Sequence, residues 1–194
     1  MFERTEPFEL FGEWFAEARR AEPVNPDAVC LATVSASGEP SARMVLLKSF
    51  DAAGFVFYSN GESAKAADIA GNPAVALCAY WKALGRQVRI AGRVAPVTPA
   101  EADAYFATRA RGSQIGAWVS DQSRPVDGRA TLEARVAARE REWAGRPVPR
   151  PPHWGGWRLA PARIEFWVDR PDRLHDRLLF TRAGAGWTRQ RLQP

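Results

Sequence analysis

Between Ala28 and Val97 the chain repeats one pattern five times: a run rich in Val, Leu and aromatic residues, then a break. The runs are AVCLATVS, ARMVLLKSF, GFVFYSN, AVALCAYW and RQVRIAGRVAPV, punctuated by ASGEP, DAAG and ALG. Residues of these types fit a pleated, half-buried surface, and clusters of Gly, Pro, Ser and Asp end strands. The pattern predicts an antiparallel meander. ESAKAADIAGNP, between the third and fourth runs, predicts a short helix closed by Gly71 with Pro73 beyond it. Ahead of the strands, PFELFGEWFAEARRA places Phe8, Phe11, Trp14, Phe15 and Ala18 three or four apart, one apolar stripe on a helix that packs on the body. TPAEADAYFATRARGSQIGAWVS and DGRATLEARVAAREREWAG read as helical, the first as two pieces meeting near Gly112. GRPVPRPPHWGGW reads as an ordered loop, and ARIEFWVDR, RLHDRLLFTR and GWTRQRL as closing strands. Helices are grouped rather than alternating with strands. That grouping argues for an α+β domain with an antiparallel sheet or barrel, and against a doubly wound parallel sheet.

The chain has 194 residues, 46% of them hydrophobic, enough for one well-buried core and a single domain over residues 1–194. Its net charge of +5 favours anionic partners without choosing among nucleic acid, a membrane surface and small phosphorylated molecules. Cys30 and Cys78 sit in apolar runs and read as buried thiols, which suits a reducing cytoplasm. MFERTEPFEL carries early acidic residues and no apolar signal core, and no apolar stretch approaches a membrane span, so neither secretion nor membrane insertion is expected. With two histidines and cysteines inside strands there is no zinc constellation, so no metal is expected. Phosphate-binding loops of the G-x-x-x-x-G-K type, the G-x-G-x-x-G fingerprint and the G-x-S-x-G elbow are all missing. What remains is a set of basic and hydroxyl side chains at strand ends and helix starts, where anions are usually held, and the chemistry then belongs to a bound cofactor.

RMVLLK holds Arg43 and Lys48 at the two ends of one strand, five positions apart and therefore on opposite faces. FYSNGESAK supplies Tyr58, Ser59, Ser63 and Lys65 around a helix start, a cradle suited to phosphate. RQVRI offers Gln87, whose amide both donates and accepts. YFATRARGSQIGAWVSDQS adds Tyr105, Arg109, Ser113, Gln122 and Ser123. If PDRLHDRLLF is extended, Arg173, His175 and Arg177 share a cationic face while Leu174, Asp176 and Leu178 share the other. Each residue alone has an ordinary explanation: a solvated helix arginine, a surface lysine, a charged edge strand that discourages pairing.

Taken together, RMVLLK, FYSN, RQV, SQIGAWVSDQS, WGGWRL, IEFW, RLHDR and the closing W to RLQP resemble the pyridoxamine 5'-phosphate oxidases in order and spacing. The resemblance runs from about Glu6 to the C-terminus. It implies the FMN-binding split β-barrel, an antiparallel barrel flanked by helices, homodimeric, with FMN between subunits and the strands from about 154 to 194 completing the active site. It places Arg43, Met44, Val45, Leu46, Leu47, Lys48, Tyr58, Ser59, Lys65, Gln87, Gln122, Ser123, Trp167 and Arg177 along the flavin. The substrate phosphate falls to Lys48, Tyr105, Arg109 and Ser113, and Arg173, Leu174 and His175 lie against the substrate ring, Arg173 and His175 as the catalytic pair.

The implied reaction is a two-electron oxidation of pyridoxamine or pyridoxine 5'-phosphate to pyridoxal 5'-phosphate, with dioxygen reoxidising the flavin and yielding hydrogen peroxide. Two departures from the family pattern stand out. Ala64 occupies the place of an arginine in the family's Ser-Arg-Lys run, with Arg86 as a candidate to compensate, and the chain starts almost at the first helix, without the basic arm many members carry. A flavin oxidase of the phenazine-pathway type would keep the flavin residues and change the substrate set. A flavin or pyridoxal phosphate carrier would keep both without turnover. A nucleic-acid module would stack bases on aromatics, but here the aromatics follow core patterns, and no nucleic-acid partner is expected.

Overall fold

The computed structural model describes residues 2–194. Helix α1 (Pro7–Ala21) leads into β1 (Ala28–Val34), β2 (Pro40–Asp51) and β3 (Gly54–Asn60), which do form a meander. Helix α2 (Ala64–Gly71) then carries the chain across, so that β4 (Ala74–Trp81) pairs with β1 rather than with β3. β5 (Arg86–Pro96) follows, then α3 (Pro99–Thr108), α4 (Arg111–Val119) and α5 (Arg129–Glu142), then β6 (Trp154–Val168), β7 (Asp176–Ala183) and β8 (Gly186–Leu192). The strand order is β3-β2-β1-β4-β5-β6-β7-β8, all pairs antiparallel, and an added β3–β6 ladder closes β1 to β6 into a barrel. The simple meander is therefore corrected at one point. Turn chemistry fixes neighbours across a hairpin, whereas a helical crossover leaves the choice of edge to the whole fold.

Side-chain alternation builds the core. Val29, Leu31 and Thr33 of β1 and Val75, Leu77, Ala79 and Trp81 of β4 point inward and are buried. On β2, Val45 and Leu47 point inward, then a bulge between Leu47 and Ser49 reverses the parity and lets Phe50 face the core. A second irregularity, between Ala91 and Gly92, brings the backbones of β5 and β6 so close that a Cβ on Gly92 would lie 2.1 Å from the Ala160 carbonyl oxygen. Pro161 sits opposite, at the break in the ladder where a missing N–H is tolerated. The predicted stripe of α1 covers this core: Phe11 meets Phe50 and Phe55 edge-on at 4.8 and 4.9 Å, and Trp14 meets Phe166 at 5.1 Å. Phe11 is fully buried, and truncating such a ring costs about 3–5 kcal/mol.

A second apolar cluster, Phe106, Ile115, Val119, Trp143, Val148 and Trp154, holds α3, α4 and the following loop against the start of β6. Helix α3 begins with a capping box in which Thr98 and Glu101 satisfy each other's backbone, and Glu101 also accepts from Arg158 at 2.8 Å. The Thr98 amide, ahead of the Arg158 guanidinium and the Thr98 hydroxyl, holds the Glu101 carboxyl below the usual carboxylate range. A carboxyl depressed in the folded state contributes stability that is present above its unfolded pKa, near 4.3, and is lost as pH falls through the lower folded value. Glu101→Gln is therefore expected to be less stable than the parent in urea unfolding at neutral pH, with the gap closing toward about pH 3. A gap of equal size at both pH values would contradict this.

Three further expectations are corrected. The loop after α5 ends earlier than its composition suggests, because Trp154 to Trp157 already pair with β3. The strand expected from Arg173 begins only at Asp176, since Pro171–Arg173 is a turn with Asp172 and Arg173 in the left-handed region at φ 57° and 61°. Arg173, His175 and Arg177 thus do not share a strand face. Cys30 and Cys78 are free and half-buried rather than buried, facing each other across β1 and β4 on the outer barrel surface. An apolar run on a barrel strand buries only alternate residues. Among the described residues no helix is long and apolar enough to cross a membrane.

Candidate active site

The break between α3 and α4 faces the end of β3, and between them lies a cavity of about 550 Å³. It is lined by Leu46, Lys48, Tyr58, Ser59, Tyr105, Arg109, Ser113 and Gln122, all expected from sequence, and by Asn60, Ala110, Gly116, Ala117, Ser120 and Trp154, which were not. Tyr58, Tyr105 and Trp154 form a cluster of near-parallel rings, with Tyr58 4.1 Å from Tyr105 and 5.4 Å from Trp154 and the last two 6.1 Å apart. Gly156 makes this possible: a Cβ there would lie 2.6 Å from the Tyr58 ring. Burial, then the Glu101 charge, pushes the Tyr58 phenol upward in pKa. Lys48 leaves the ladder at the β2 bulge and pairs with Asp27 at 2.6 Å. Asn60 donates to the Ser120 carbonyl at 3.1 Å and so ties the end of β3 to the end of α4. Trp154 left a trace in the sequence as the aromatic before Gly-Gly, but the Pro-rich run ahead of it reads as loop.

Arg109 is the anomaly of this cavity. Its guanidinium lies 4.7 Å from the Trp154 ring centroid and 5.6 Å from that of Phe106. Its Nη1 is buried and has no hydrogen-bond partner among the described residues. Burial lowers its pKa, yet a guanidinium remains charged in proteins. A half-buried cation whose Nη1 has no acceptor carries a desolvation cost that an anion in the cavity would offset.

A second cation seat adjoins the first. Lys65, buried on the first turn of α2, donates to Gln122 Oε1 at 2.6 Å, Ser59 Oγ at 3.0 Å and Ser63 Oγ at 3.1 Å. All three acceptors are neutral, and among the described residues Lys65 has no carboxylate partner. Burial, then the Arg43 charge, lowers its pKa. The Ala64 amide at the start of α2 donates to Ser123 Oγ, and Ser123 itself is held at φ 74°. Because of the bulge at Lys48, the strand between Arg43 and Lys48 is not regular, and the two find different partners. Arg43 donates to Thr33 Oγ1 and Ser41 Oγ, both at 2.6 Å, and lies 3.4 Å from Asp68. Arg86 pairs with Glu17 at 2.7 Å and lies over Trp14. Of the remaining β2 residues, Val45 and Leu47 are in the core and offer only backbone, while Met44 and Leu46 point outward.

The other expected residues lie elsewhere. Gln87, Trp167 and Arg177 are direct cross-strand partners in one row of β5, β6 and β7. Arg177 is turned onto buried Glu165 at 2.7 Å and the Gln193 carbonyl at 3.0 Å. His175 packs on Trp167 with ring centroids 4.5 Å apart. Arg173 and Leu174 are exposed, and Arg173 makes no hydrogen bond or ion pair among the described residues. His175 and Leu174 line a separate cavity of about 350 Å³ with Asp176, Arg191 and the C-terminal residues. Trp154 and Trp167 mark opposite ends of β6, roughly 40 Å apart along a straight strand. The expected residues of a single chain therefore lie in two separate places. Between them on the outer barrel surface, Met44 is 61%, Leu46 39% and Tyr80 57% exposed, an apolar area without cover in one chain.

Known proteins share both the sequence and the fold of this chain. The profile described as pyridoxamine 5'-phosphate oxidase matches residues 15–143, and that of the pyridoxine 5'-phosphate oxidase C-terminal dimerisation region matches residues 154–194. The chain is 59% identical to the pyridoxine/pyridoxamine 5'-phosphate oxidase of Sphingopyxis alaskensis over 97% of its own length and 88% of the relative's. It is 58% identical to the Caulobacter vibrioides protein of the same name over 97% and 85%. Among solved structures, PhzG from Burkholderia lata 383, in complex with tetrahydrophenazine-1-carboxylic acid, superposes with a TM-score of 0.92 at 32% identity, covering 98% of this chain and 94% of that one. A pyridoxamine 5'-phosphate oxidase-related, FMN binding protein from Nostoc punctiforme shares the fold, with a TM-score of 0.78 at 19% identity over 97% and 98%. With both profiles matched in order and relatives this close over nearly the whole chain, the protein belongs to the pyridoxamine 5'-phosphate oxidase family.

Proposed function

We propose that the protein oxidises pyridoxamine 5'-phosphate or pyridoxine 5'-phosphate to pyridoxal 5'-phosphate at a site built by two copies of the chain with FMN between them. The observation that carries this reading is Arg109: a buried guanidinium nitrogen without a partner, in a cavity shared with Lys48, Tyr105 and Ser113. A dianionic substrate phosphate would satisfy it with charge-assisted hydrogen bonds. The flavin phosphate fits the second seat, where buried Lys65 has hydroxyl and amide neighbours but no carboxylate and the α2 N-terminus adds its amides. When bound, the flavin supplies the two-electron chemistry, and dioxygen is the expected acceptor that returns it to the oxidised state with release of hydrogen peroxide.

The chain's own residues bind, orient and exclude water. Lys48, Tyr105, Arg109 and Ser113 fix the substrate's phosphate end. The stack of Tyr58, Tyr105 and Trp154 walls the cavity. Arg173, Leu174 and His175 of a second copy close over the substrate ring, while Gln87, Trp167 and Arg177 meet the flavin. In this reading residues 1–194 act as one unit: within the strands from 154 onward, Trp154 walls its own chain's cavity, and the far end of β6 with the turn into β7 completes the neighbour's site. The uncovered Met44, Leu46 and Tyr80 supply apolar area for that homodimer.

The test is anaerobic. The protein is loaded with FMN, pyridoxamine 5'-phosphate is added, flavin bleaching is followed, and oxygen is then admitted while peroxide and pyridoxal 5'-phosphate are assayed. Bleaching followed by both products is the expected result. A flavin that stays oxidised with this substrate but bleaches with a reduced tricyclic carboxylate would move the protein to the phenazine-type reaction.

A further inference from the structure

Glu165 is a buried carboxylate on the outward side of the barrel. Its neighbours along β6, Ile164 and Phe166, point into the core, yet Glu165 is itself only 8% exposed. Its direct partners across the ladders are Arg89 on β5 and Leu179 on β7. Arg89 reaches Oε2 at 3.4 Å from a largely exposed side chain. The closer pairing comes from Arg177, two residues before Leu179 on the same face of β7: its Nε donates to Oε1 at 2.8 Å, and its Nη2 stands 2.7 Å from the same oxygen. On the other side, Nη1 of Arg177 donates to the Gln193 carbonyl at 3.0 Å. The guanidinium is thus gripped from two directions while further N–H groups on its terminal nitrogens remain for a ligand. A buried ion pair adds little stability over apolar side chains of similar volume, so stability alone is a weak account of this one.

We propose that Glu165 is the positioning residue for Arg177, fixing its guanidinium before the flavin arrives. This deepens the proposed function and rests on it for what Arg177 meets, in the row it shares with Gln87 and Trp167. An arginine side chain has wide rotamer freedom, and ordering it on binding costs affinity. Folding has already ordered Arg177, through a carboxylate on the adjacent strand and a backbone carbonyl near the C-terminus. Pairing also neutralises it, so Arg177 meets the flavin as an oriented donor rather than as a free cation. Glu165 acts through Arg177 and has no contact of its own with the flavin.

The test is a double-mutant cycle read as FMN affinity, by titrating FMN into the flavin-free full chain and following the quenching of flavin fluorescence. Glu165→Gln keeps the shape and removes the charge, and is expected to weaken FMN binding about tenfold, the cost of ordering one long side chain on binding. Arg177→Met is expected to weaken it at least as much, and Glu165→Gln/Arg177→Met no further than Arg177→Met alone, because a positioning residue has no effect once the residue it positions is gone. A loss of equal size with and without Arg177 would show that Glu165 serves the sheet and would overturn the proposal. Unchanged or tighter binding in Glu165→Gln would overturn it too, the tighter case showing that the carboxylate only masks a useful charge. If Arg177→Met binds FMN like the parent, the flavin contact in the proposed function fails and the proposal with it; if Arg177→Met weakens binding and Glu165→Gln does not, the positioning alone fails. A second measurement leaves Arg177 in place. In the flavin-free protein the Arg177 Nε–H, assigned by its loss in Arg177→Lys, is expected to exchange with solvent about tenfold faster in Glu165→Gln than in the parent. Equal exchange rates would mean that Glu165 does not hold the guanidinium.

Discussion

Arg109→Met is expected to lose about two to three orders of magnitude in kcat/KM toward pyridoxamine 5'-phosphate while remaining at least as stable as the parent. The loss follows from removing a desolvated cation that pairs with a phosphate, an interaction worth about 2–5 kcal/mol when one partner is truncated. It should appear chiefly as a raised KM, with FMN binding little changed, because Lys65 and its neighbours form a separate seat. The stability side runs the other way. In the ligand-free chain the Arg109 Nη1 is buried and unsatisfied, which costs about 1–3 kcal/mol, and stacking on Trp154 returns only part of that. Methionine fills similar space without a charge, so urea unfolding of the ligand-free protein should show a gain of about 1 kcal/mol. A variant that binds substrate normally, or one that unfolds far more easily, would show that Arg109 serves the fold instead.

Arg173→Gly is expected to follow the same logic on the other half-site. Arg173 sits at φ 61° directly after Asp172 at φ 57°, a left-handed pair that costs roughly 1–2 kcal/mol for a residue with a Cβ. Its side chain is exposed and makes no hydrogen bond or ion pair among the described residues, so nothing within the chain offsets that strain. Strain held at an unpartnered cation points to function. Glycine relieves the conformation but adds freedom to the unfolded chain, about 0.5–1 kcal/mol, leaving stability unchanged or raised by at most about 1 kcal/mol. Oxidation should fall by about two orders of magnitude or more, while the yellow FMN complex still forms. Retained turnover in Arg173→Gly would remove this arginine from the reaction.

The two arginines mark what was and was not legible in the sequence. The strands GFVFYSN and AVALCAYW coincide with β3 and β4 because turn residues bound them on both sides and their apolar content leaves no helical alternative. The stripe of α1 was equally legible, since Phe11 and Trp14 repeat at helical spacing and the buried Pro7 on their face sits at the helix start, where proline is tolerated. Closure of the barrel was not, because the β3–β6 ladder joins segments about a hundred residues apart and no local pattern reports such a pairing. Around the site, hydroxyl and basic types flagged Ser59, Lys65, Arg109 and Ser113. Trp154 and Gly156 escaped because their contribution is steric: one walls the cavity, and the other leaves room for Tyr58. The shared face assumed for Arg173, His175 and Arg177 failed for a related reason. Periodicity assumes regular backbone, and Pro171 with two left-handed residues breaks it and leaves Arg173 exposed.

The central claim is that each active site takes its phosphate seat from one chain and its ring-facing residues from another. Mixing the two inactive variants tests it most directly. Arg109→Met and Arg173→Gly subunits carrying different affinity tags are dissociated, mixed in equal amounts and reassociated, and the doubly tagged dimers are confirmed before oxidase activity is measured at substrate well below the parent KM, where a raised KM is fully expressed. A heterodimer built this way has one site with both defects and one with neither, and random pairing makes about half of all dimers heterodimers under two-fold symmetry. The account predicts recovery of about a quarter of the parent activity from two preparations that are each nearly inactive. Doubly tagged heterodimers without recovered activity would contradict it, because each site would then draw both arginines from the same chain.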